Sequence, residues 1–444
     1  MARNSSRNLN AGPVQEADIV DLAHDGRGVA RIDGKAVFVD GALPSERVRV
    51  RILKRRRHMD EAALVDVLVA SPDRVAPRCV HFGVCGGCSL QHLAPAAQLA
   101  AKERQLLENL QRIGNVQPER VLEPLRGPEW GYRRRARLGI KYVHKKGRVL
   151  AGFREREKPY IADIKRCEVL LAPLGDLPQE LAALAETLSV REKMPQVEVA
   201  AGDRATALVF RVLEPPSAAD LEKISAFGAQ RGLQIFLQPG GLDTLRPLRD
   251  HYAPLDYAVD GGRVVIEFGP VDFIQVNRDI NAAMVGAAMT LLQPLPDDAA
   301  LDLFCGLGNF TLPLARRSRQ VTGVEGDASL VAKARANAAR NGIANAGFAL
   351  EDLFEAKSFG AWANQHYDLV MLDPPRAGAA EALTGMPRWN PRRVVYISCH
   401  PGSLARDAQV LVSDYGFTLT AAGVMDMFPH TTHVESIAVF ERHP

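Results

Sequence analysis

The residues best suited to covalent chemistry follow two neighbouring apolar runs in the last quarter of the chain. One run ends in AspProProArg at 373–376 and the next in SerCysHisPro at 398–401. Cys399 is a candidate nucleophile, because a thiolate that adds to C6 of a uracil ring makes C5 an enolate carbon able to attack an electrophilic methyl group. Ordinary thiols have a pKa of about 8.5, so we expect an electropositive or hydrogen-bonding site around this one.

The AspProPro element alone does not identify the reaction. Methyltransferases that act on amines use a similar element, usually followed by an aromatic residue, whereas Arg376 follows it here. A cysteine at the end of a strand is also commonly an inert apolar side chain. The adjoining ProPro loop favours a nucleophile at Cys399, and an amine-directed methyltransferase stays open as the alternative.

A uracil adduct also needs a base that removes the C5 proton before the thiolate leaves. The segment ThrThrHisValGluSer at 431–436 precedes the last predicted strand. Glu435 is our candidate base, with His433 and His430 as rivals. A solvated glutamate with no role in chemistry is the plain alternative.

A glycine loop at 306–308 indicates a nucleotide-type ligand. It follows a strand that ends at Phe304, and the next strand ends in Glu325, the spacing expected of an acid that holds ribose hydroxyls. A third strand ends at Asp352, where a carboxylate can accept a hydrogen bond from an adenine amino group. The loop lacks the third glycine of a dinucleotide site and contains no basic residue, so S-adenosylmethionine fits better than NAD.

Three cysteines lie within ten residues, at Cys79, Cys85 and Cys88, and Cys167 is the remaining cysteine before the last third of the chain. Four thiolates hold either a tetrahedral zinc ion or a [4Fe-4S] cluster, and the spacing does not choose between them. A noncatalytic iron-sulfur protein that binds RNA or senses redox state therefore stays open as well.

The alternation of strands and helices predicts an α/β fold from Phe273 onward. Five short apolar runs, each followed by a helical or loop segment, indicate a doubly wound, Rossmann-like sheet with ligands at the carboxyl ends of its strands. We assign this domain to residues 271–444. Both candidate chemical segments and the glycine loop then fall on one edge of one sheet.

Two further domains precede it. Residues 1–74 contain five short alternating runs separated by AspGly turns, which predicts a small antiparallel β-barrel. Residues 75–270 mix strands with a helix around 177–188, which indicates an α+β domain. A helix at about 95–114 belongs to this stretch and could pack on the catalytic domain.

Charge and hydropathy limit the location and the partners. The net charge is +3, yet seven basic residues and no acid occupy 47–57, and four arginines lie in 133–137. Such patches suit a polyphosphate partner. Met1–Asn10 is polar, and no run is long enough to span a bilayer, so we expect a cytoplasmic protein with no membrane association. Phe82 and Trp130 could stack on bases or pack in the core.

These motifs together resemble the bacterial RNA uracil-C5 methyltransferases, and within them the branch that modifies 23S ribosomal RNA. The matches are AspGlyArgGlyValAlaArg at 25–31, the cysteine spacing, PheXGlnXAsn at 273–277, AspXPheCysGlyXGlyXPhe at 302–310 and HisValGluSer at 433–436. One position departs from the family, His400, where the family has asparagine.

The resemblance implies an N-terminal TRAM domain of the oligonucleotide-binding type, a 23S ribosomal RNA substrate and a monomeric enzyme. It implies Cys399 as the nucleophile and Glu435 as the base. The implied ligands of a [4Fe-4S] cluster are Cys79, Cys85, Cys88 and Cys167. The implied contacts to S-adenosylmethionine are Gln275, Phe304, Asn309, Glu325, Asp352 and Asp373.

Overall fold

The computed structural model of the chain describes residues 13–355 and 359–442. These residues form two compact units: one runs to Ala101 and includes His430–Thr432, and the other begins at Lys102 and holds the rest. The division into domains at 74/75 and 270/271 stays a prediction, and the polar segment Met1–Asn10 lies outside the described residues. Within the described ranges, no helix has the length and apolar character needed to cross a bilayer.

The first unit contains a closed five-stranded barrel. Its strands are β1 Val14–Leu22, β2 Gly28–Ile32, β3 Lys35–Asp40, β4 Arg47–Arg55 and β5 Met59–Val69. The order around the barrel is β1-β2-β3-β5-β4, and β4 closes it on β1. The pairing of β3 with β5 is parallel, so the prediction of a wholly antiparallel barrel was wrong at that pair. Because β4 pairs with β1 instead of β3, β5 runs alongside β3 in the same direction.

Alternating side chains explain the barrel core. Val48 and Val50 on β4 are fully buried, while the arginines between them face outward. Small and branched apolar residues from the other strands, including Ile19, Val37 and Val39, complete this core. The strand that carries most of the basic stretch is thus held by its valines.

The second unit begins within a helix and continues into a six-stranded sheet. The elements are α1 Pro95–Arg112, β6 Arg120–Val121, β7 Arg135–Val143, β8 Arg148–Gly152, α2 Leu177–Glu186, β9 Gln196–Ala201, β10 Thr206–Arg211, α3 Ala218–Arg231, β11 Leu233–Gln238 and β12 Arg246–Pro247. The sheet order is β12-β11-β10-β9-β7-β8. The sequence analysis missed α3, although Ser217 and Asp220 form a reciprocal capping box at its start.

An eight-stranded sheet forms the catalytic part of this unit. Its region contains β13 Leu255–Val259, β14 Val264–Phe268, α4 Arg278–Leu292, β15 Ala299–Leu303, α5 Thr311–Ala315, β16 Gln320–Glu325, α6 Ala328–Arg340, β17 Ala346–Leu350, β18 Leu369–Leu372, α7 Met386–Trp389, β19 Arg393–Ser398, α8 Pro401–Ser413, β20 Thr418–Met425 and β21 Glu435–Glu441. The order β17-β16-β15-β18-β19-β21-β20-β6 is parallel from β17 to β19, and β21 is antiparallel to both its neighbours.

Burial on both faces explains the apolar character of the parallel strands. Every residue of β15 and β18 is buried, and both strands are nearly free of alternation. Because parallel strands end on the same side of a sheet, the polar residues that follow these strands gather on one edge. The predicted Rossmann-like arrangement is present, with the glycine loop after β15 on that edge.

Candidate active site

The glycine loop between β15 and α5 is built from left-handed residues. The φ angles of Phe304, Gly306 and Gly308 are 64°, 54° and 93°. Glycine adopts this conformation without penalty, whereas Phe304 stores strain on the order of 1 kcal/mol. A strained, bulky residue at the start of the loop marks a place where the backbone is shaped for binding.

Glu325, the last residue of β16, is fixed by that loop. Its carboxylate accepts hydrogen bonds from the Gly306 N–H at 3.0 Å and from the Asp327 N–H at 3.1 Å. Two backbone donors set the direction of the carboxylate and leave further lone pairs for a ligand. This arrangement fits an acid that receives two ribose hydroxyls.

An aromatic pair lies beside the third predicted acid. Asp352 follows β17 and accepts a hydrogen bond from the Phe354 N–H at 2.9 Å. The Phe354 ring lies 5.6 Å from the Phe304 ring, centroid to centroid, and remains 41% exposed. An acceptor next to exposed aromatic surface suits a purine ring with an amino group.

The three residues of the PheXGlnXAsn motif do not all line the cavity. Phe273 is 73% exposed and Gln275 half-buried, and both line the same cavity, whereas Asn277 is buried and caps α4 by accepting from the Ile280 N–H. Only two of the three motif residues therefore face a ligand. The third sets the start of the helix.

Asn309 is held in a polar network at the cavity wall. Its side-chain amide exchanges hydrogen bonds with that of Asn281 at 3.0 and 3.1 Å, and its oxygen accepts from the Tyr257 hydroxyl at 3.2 Å. Sequence analysis did not identify Tyr257 as a cavity residue, and its place on β13 gives no signal that could have done so.

Strand register brings the candidate nucleophile and base together. Ser398 pairs with Ser436 across β19 and β21, and the Ser436 hydroxyl donates to the Ser398 carbonyl at 3.0 Å. Cys399 is the residue after β19 and Glu435 is the first residue of β21, so each adjoins the Ser398–Ser436 pair, and both line the same cavity.

The electrostatics at Cys399 differ from the expected electropositive site. Burial, Glu435 and Asp373 raise the pKa of the Cys399 thiol to about 11, and the charge of Arg376 opposes them. Burial also raises the pKa of Glu435 to about 8, with a contribution from Asp373, and the pKa of Asp373 to about 7. Without ligands, the thiol is therefore protonated at neutral pH.

One cavity of about 530 Å³ unites these groups. All eight residues expected to bind the cofactor or act in catalysis line it: Gln275, Phe304, Asn309, Glu325, Asp352, Asp373, Cys399 and Glu435. The sequence analysis gave no cavity role to Arg376, Phe354 and Phe428, which line it too. Phe428 lies in the MetPhePro segment just before β21, where an apolar residue in a loop was the available signal.

The two histidines considered as rival bases do not line this cavity in the described structure. The backbone N–H of buried His430 donates to Gln98 at 2.9 Å. The ring of His433 lies 5.2 Å from the Phe428 ring, and burial lowers its pKa. The geometry therefore favours Glu435 as the base.

His400, the departure from the family pattern, acts as the N-cap of α8. Its Nδ1 accepts a hydrogen bond from the Ser403 N–H at 3.1 Å, as an asparagine oxygen could. Burial and the charges of Arg376 and Arg406 lower the pKa of His400, which keeps the ring neutral and able to accept. The substitution thus preserves the turn that follows Cys399.

The cysteine-rich segment does not assemble a metal site. Cys79, Cys85 and Cys88 are half-buried in the first unit, and Cys167 is buried in the second. Across residues 13–355 and 359–442, no group of three or more His, Cys, Asp or Glu side chains is arranged to hold a metal ion. Within the first unit, the Gly87 N–H donates to the Cys85 sulfur at 3.4 Å.

Both basic patches are largely ion-paired. On β4, Arg47 pairs with Glu16 and Arg49 with Asp66, in exposed contacts that neighbouring strands supply. In the second patch, Arg134 is buried and pairs with Asp203. Neither basic stretch contains an acid in sequence, but other parts of the fold supply acids that pair with the arginines. The net positive charge of the two patches is therefore smaller than the sequence indicates.

Comparison with known proteins places the chain in a family. A family model described as tRNA (uracil-5-)-methyltransferase matches residues 95–443, and a model of the TRAM domain matches residues 9–65. A solved structure of the tRNA (uracil-54, C5)-methyltransferase of Pyrococcus abyssi, in complex with S-adenosyl-L-homocysteine, has a TM-score of 0.73 and 24% identity. It covers 96% of this chain and 100% of its own, which shows the shared fold.

Curated relatives are similar along the whole chain. The protein named 23S rRNA (uracil(1939)-C(5))-methyltransferase RlmD of Xanthomonas oryzae pv. oryzae (strain MAFF 311018) is 53% identical over 445 residues and is covered completely, as is this chain. The protein of the same name from Methylococcus capsulatus is 52% identical over 441 residues, with 99% of each chain covered. With the family model matching most of its length, the chain belongs to the RNA (uracil-5-)-methyltransferase family and begins with a TRAM barrel.

Proposed function

We propose that the protein transfers a methyl group from S-adenosylmethionine to C5 of a uridine in 23S ribosomal RNA. The observation that carries the proposal is that Cys399, which follows β19, and Glu435, which begins β21, line one cavity together with the glycine loop and Glu325. The relatives similar over the full length are named for this reaction at uracil 1939. We propose the equivalent uridine as the target.

The residues that line the cavity suit the methyl donor. Glu325 would receive the ribose hydroxyls, and Asp352 with the rings of Phe304 and Phe354 would receive the adenine. Gln275, Asn309 and Asp373 are the other proposed contacts. When bound, the donor supplies a methyl group on a positively charged sulfur.

Cys399 and Glu435 would then act in turn. The thiolate of Cys399 forms a bond to C6, and the C5–C6 π electrons move to C5, which attacks the methyl carbon as its bond to the donor sulfur breaks. Glu435 removes the proton from C5, the C5–C6 double bond re-forms, and the thiolate leaves. The products are 5-methyluridine, S-adenosylhomocysteine and one proton.

The raised pKa values of Cys399 and Glu435 bear on which groups carry a proton before the reaction. Since Cys399 begins as a thiol, its proton must leave before attack, and Glu435 must be ionised when it takes the C5 proton. Asp373, whose pKa is about 7, is a second carboxyl in the same cavity. We propose that Asp373 or water accepts the thiol proton, which leaves Glu435 for C5.

The substrate must offer an unstacked base. Both C5 and C6 have to be reached, so the uridine is extruded from a single-stranded or loop region into the cavity. The TRAM barrel would bind RNA through the exposed arginines of β4, whose surface ion pairs a phosphate can replace. We propose that the protein acts as a monomer in the cytoplasm.

A trapping experiment tests the mechanism. RNA that contains 5-fluorouridine at the target cannot lose a C5 proton, so incubation with the protein and S-adenosylmethionine should leave a covalent adduct visible on a denaturing gel. Cys399→Ala should give no adduct and no methyl transfer, and Glu435→Gln should accumulate the adduct on ordinary RNA. Equal methyl transfer by wild type and Cys399→Ala would favour an amine-directed reaction instead.

We also propose a [4Fe-4S] cluster on Cys79, Cys85, Cys88 and Cys167. The cysteine spacing supports it, and a backbone N–H aimed at a cysteine sulfur is the kind of contact that stabilises thiolate ligands. No step of the reaction above depends on it. Anaerobic purification should yield about four irons per chain with visible absorption, and zinc in place of iron would contradict the proposal.

A further inference from the structure

Arg376 is the one lysine or arginine among the described residues that line the catalytic cavity. The other charged groups on that wall are four carboxylates, Glu325, Asp352, Asp373 and Glu435. A methyl donor that carries positive charge suits those acids, but an RNA strand does not. Entry of a polyanion beside them requires a compensating cation at the side where the RNA arrives.

The Arg376 guanidinium is available for this role. Its side chain is exposed, and within residues 13–355 and 359–442 the structure gives it no hydrogen bond or ion pair. Nearby Arg406, by contrast, is committed to Asp407. Arg376 lines the cavity with Asp373 and Cys399.

The backbone around Arg376 is anchored. Its carbonyl accepts a hydrogen bond from the Ser403 hydroxyl at 2.5 Å, and the next carbonyl, of Ala377, accepts from Arg406 at 2.7 Å. Ser403 and Arg406 both belong to α8, which begins two residues after Cys399. The base of the Arg376 side chain is therefore fixed relative to the nucleophile.

We propose that Arg376 binds a backbone phosphate next to the extruded uridine and so holds that nucleotide over Cys399. A guanidinium pairs with phosphate oxygens through two parallel hydrogen bonds, a geometry that lysine cannot reproduce. A uridine in a chain carries a phosphate on each side, and the thiol must meet C6 of the ring between them. The proposal rests on the proposed function, since it takes an RNA uridine as the substrate.

The test uses a hairpin from the 23S ribosomal RNA of the same organism that contains the proposed uridine. Two further hairpins carry a neutral methylphosphonate at the phosphate 5′ or 3′ to it. Binding of each RNA is measured for the wild type, Arg376→Gln and Arg376→Lys. Arg316→Gln is the matched control, because Arg316 is an exposed arginine of the same sheet region and does not line the cavity.

We expect one methylphosphonate to weaken wild-type binding about tenfold, and Arg376→Gln to bind that RNA and the unmodified RNA equally. The slope of log affinity against log salt should fall by about one in Arg376→Gln and stay unchanged in Arg316→Gln. Arg376→Lys should keep the slope but lose part of the rate of methyl transfer. Affinity for S-adenosylmethionine should match the wild type in every variant, which shows an intact cofactor site.

Three results would overturn the proposal: an Arg376→Gln variant that still distinguishes the neutral from the charged linkage, a salt slope that this variant leaves unchanged, or full methylation by this variant. An effect of Arg376 on the Cys399 thiol alone would slow methyl transfer without changing the response to the methylphosphonate. Failure of the proposed function looks different, because the wild type would then bind the hairpin without methylating it. Full methylation by Arg376→Gln would remove the arginine from substrate binding while leaving the proposed function intact.

Discussion

At the scale of single residues, the cavity places a nucleophile among acids. Cys399 lines the cavity together with Glu435 and Asp373, and burial, followed by these two carboxylates when ionised, raises the pKa of its thiol. With a thiol pKa of about 11, only about one molecule in ten thousand holds a thiolate at pH 7. Reactivity must therefore arise when ligands bind, since a cationic sulfur donor brings positive charge to this wall.

Glu435→Gln should lower the pKa of Cys399 in the ligand-free protein. The substitution removes a negative charge that faces the thiol, and one neighbouring charge shifts a pKa by about one unit or more. The rate of Cys399 alkylation by iodoacetamide, measured from pH 7 to 11 by mass spectrometry of the labelled peptide, reports the change. Cys399→Ala provides the background from the other cysteines. Identical titration in wild type and Glu435→Gln would show that the carboxylate does not face the thiol.

The sequence predicts which residues line the cavity better than it predicts the electrostatic surroundings of those residues. The eight site residues could be identified from their motifs and from the edge on which parallel strands end. The placement of Cys399 and Glu435 in one cavity could not, because it depends on β21 running antiparallel to β19 from a later part of the sequence. The carboxylates near the thiol follow from that placement, and the expected electropositive or hydrogen-bonding site stays a prediction.

At the scale of elements, α1 connects to the loop that shapes the cavity. Lys102 on this helix is buried, and its ammonium donates to Asp426 at 2.7 Å and to the Phe428 carbonyl at 3.0 Å. The Tyr132 hydroxyl donates to the next carbonyl, of Pro429, at 3.1 Å. Two side chains thus hold successive carbonyls of the segment that places Phe428 at the cavity.

Lys102→Met should destabilise the protein by about 3–5 kcal/mol, because it leaves the Asp426 carboxylate buried without its partner. The double variant Lys102→Met with Asp426→Leu removes both charges and should recover much of that loss. Urea denaturation of the second unit measures the difference. In the double variant kcat/KM for methyl transfer should still be reduced, since the Phe428 carbonyl lacks its donor. Equal stability of the single and double variants would contradict a buried ion pair.

Sequence patterns gave the existence of most elements but not their pairings. The helix expected at about 95–114 ends at Arg112, close to Gly114, and the five barrel strands lie where alternation placed them. The parallel pairing of β3 with β5 had no local signal, because it results from closure of the barrel by β4. The ion pairs of the basic stretch at 47–57 could not be predicted either, because Glu16 and Asp66 come close to it only through strand pairing.

At the scale of the whole molecule, the small net charge of +3 does not show that acids with raised pKa values line the cavity. Three acids near the cavity, Asp302, Asp373 and Glu435, have pKa values raised to about 7, 7 and 8, with burial as the first cause for each. Their ordinary values are 3.8 for aspartate and 4.5 for glutamate. Each of these three groups therefore binds more protons in the folded protein than in the unfolded chain between its ordinary pKa and its raised pKa.

For these three groups, the consequence is a contribution to the free energy of unfolding that falls as pH rises. A group whose folded pKa is raised stabilises the fold fully below its unfolded pKa, and that contribution is lost as pH passes through the folded value. For Glu435 the loss between pH 7 and pH 9 amounts to about 1.4 kcal/mol. A glutamine does not titrate, so the Glu435→Gln variant lacks this loss. The free energy of unfolding of the variant minus that of the wild type should therefore increase by about 1.4 kcal/mol from pH 7 to pH 9.

Comparing the two proteins at each pH cancels the titration of the groups that Glu435 does not influence, which leaves Cys399 and Asp373 as the coupled neighbours. The lowered pKa of His433 acts in the opposite direction, but below its ordinary value of 6.5, outside the chosen window. Urea denaturation at pH 7, 8 and 9 without ligands supplies the numbers, with Arg316→Gln as a control of unchanged pH dependence. A constant difference between wild type and Glu435→Gln from pH 7 to 9 would mean that Glu435 is already ionised at neutral pH. Such a carboxylate would be a ready base for the C5 proton, and the barrier to reaction would then lie with the thiol alone.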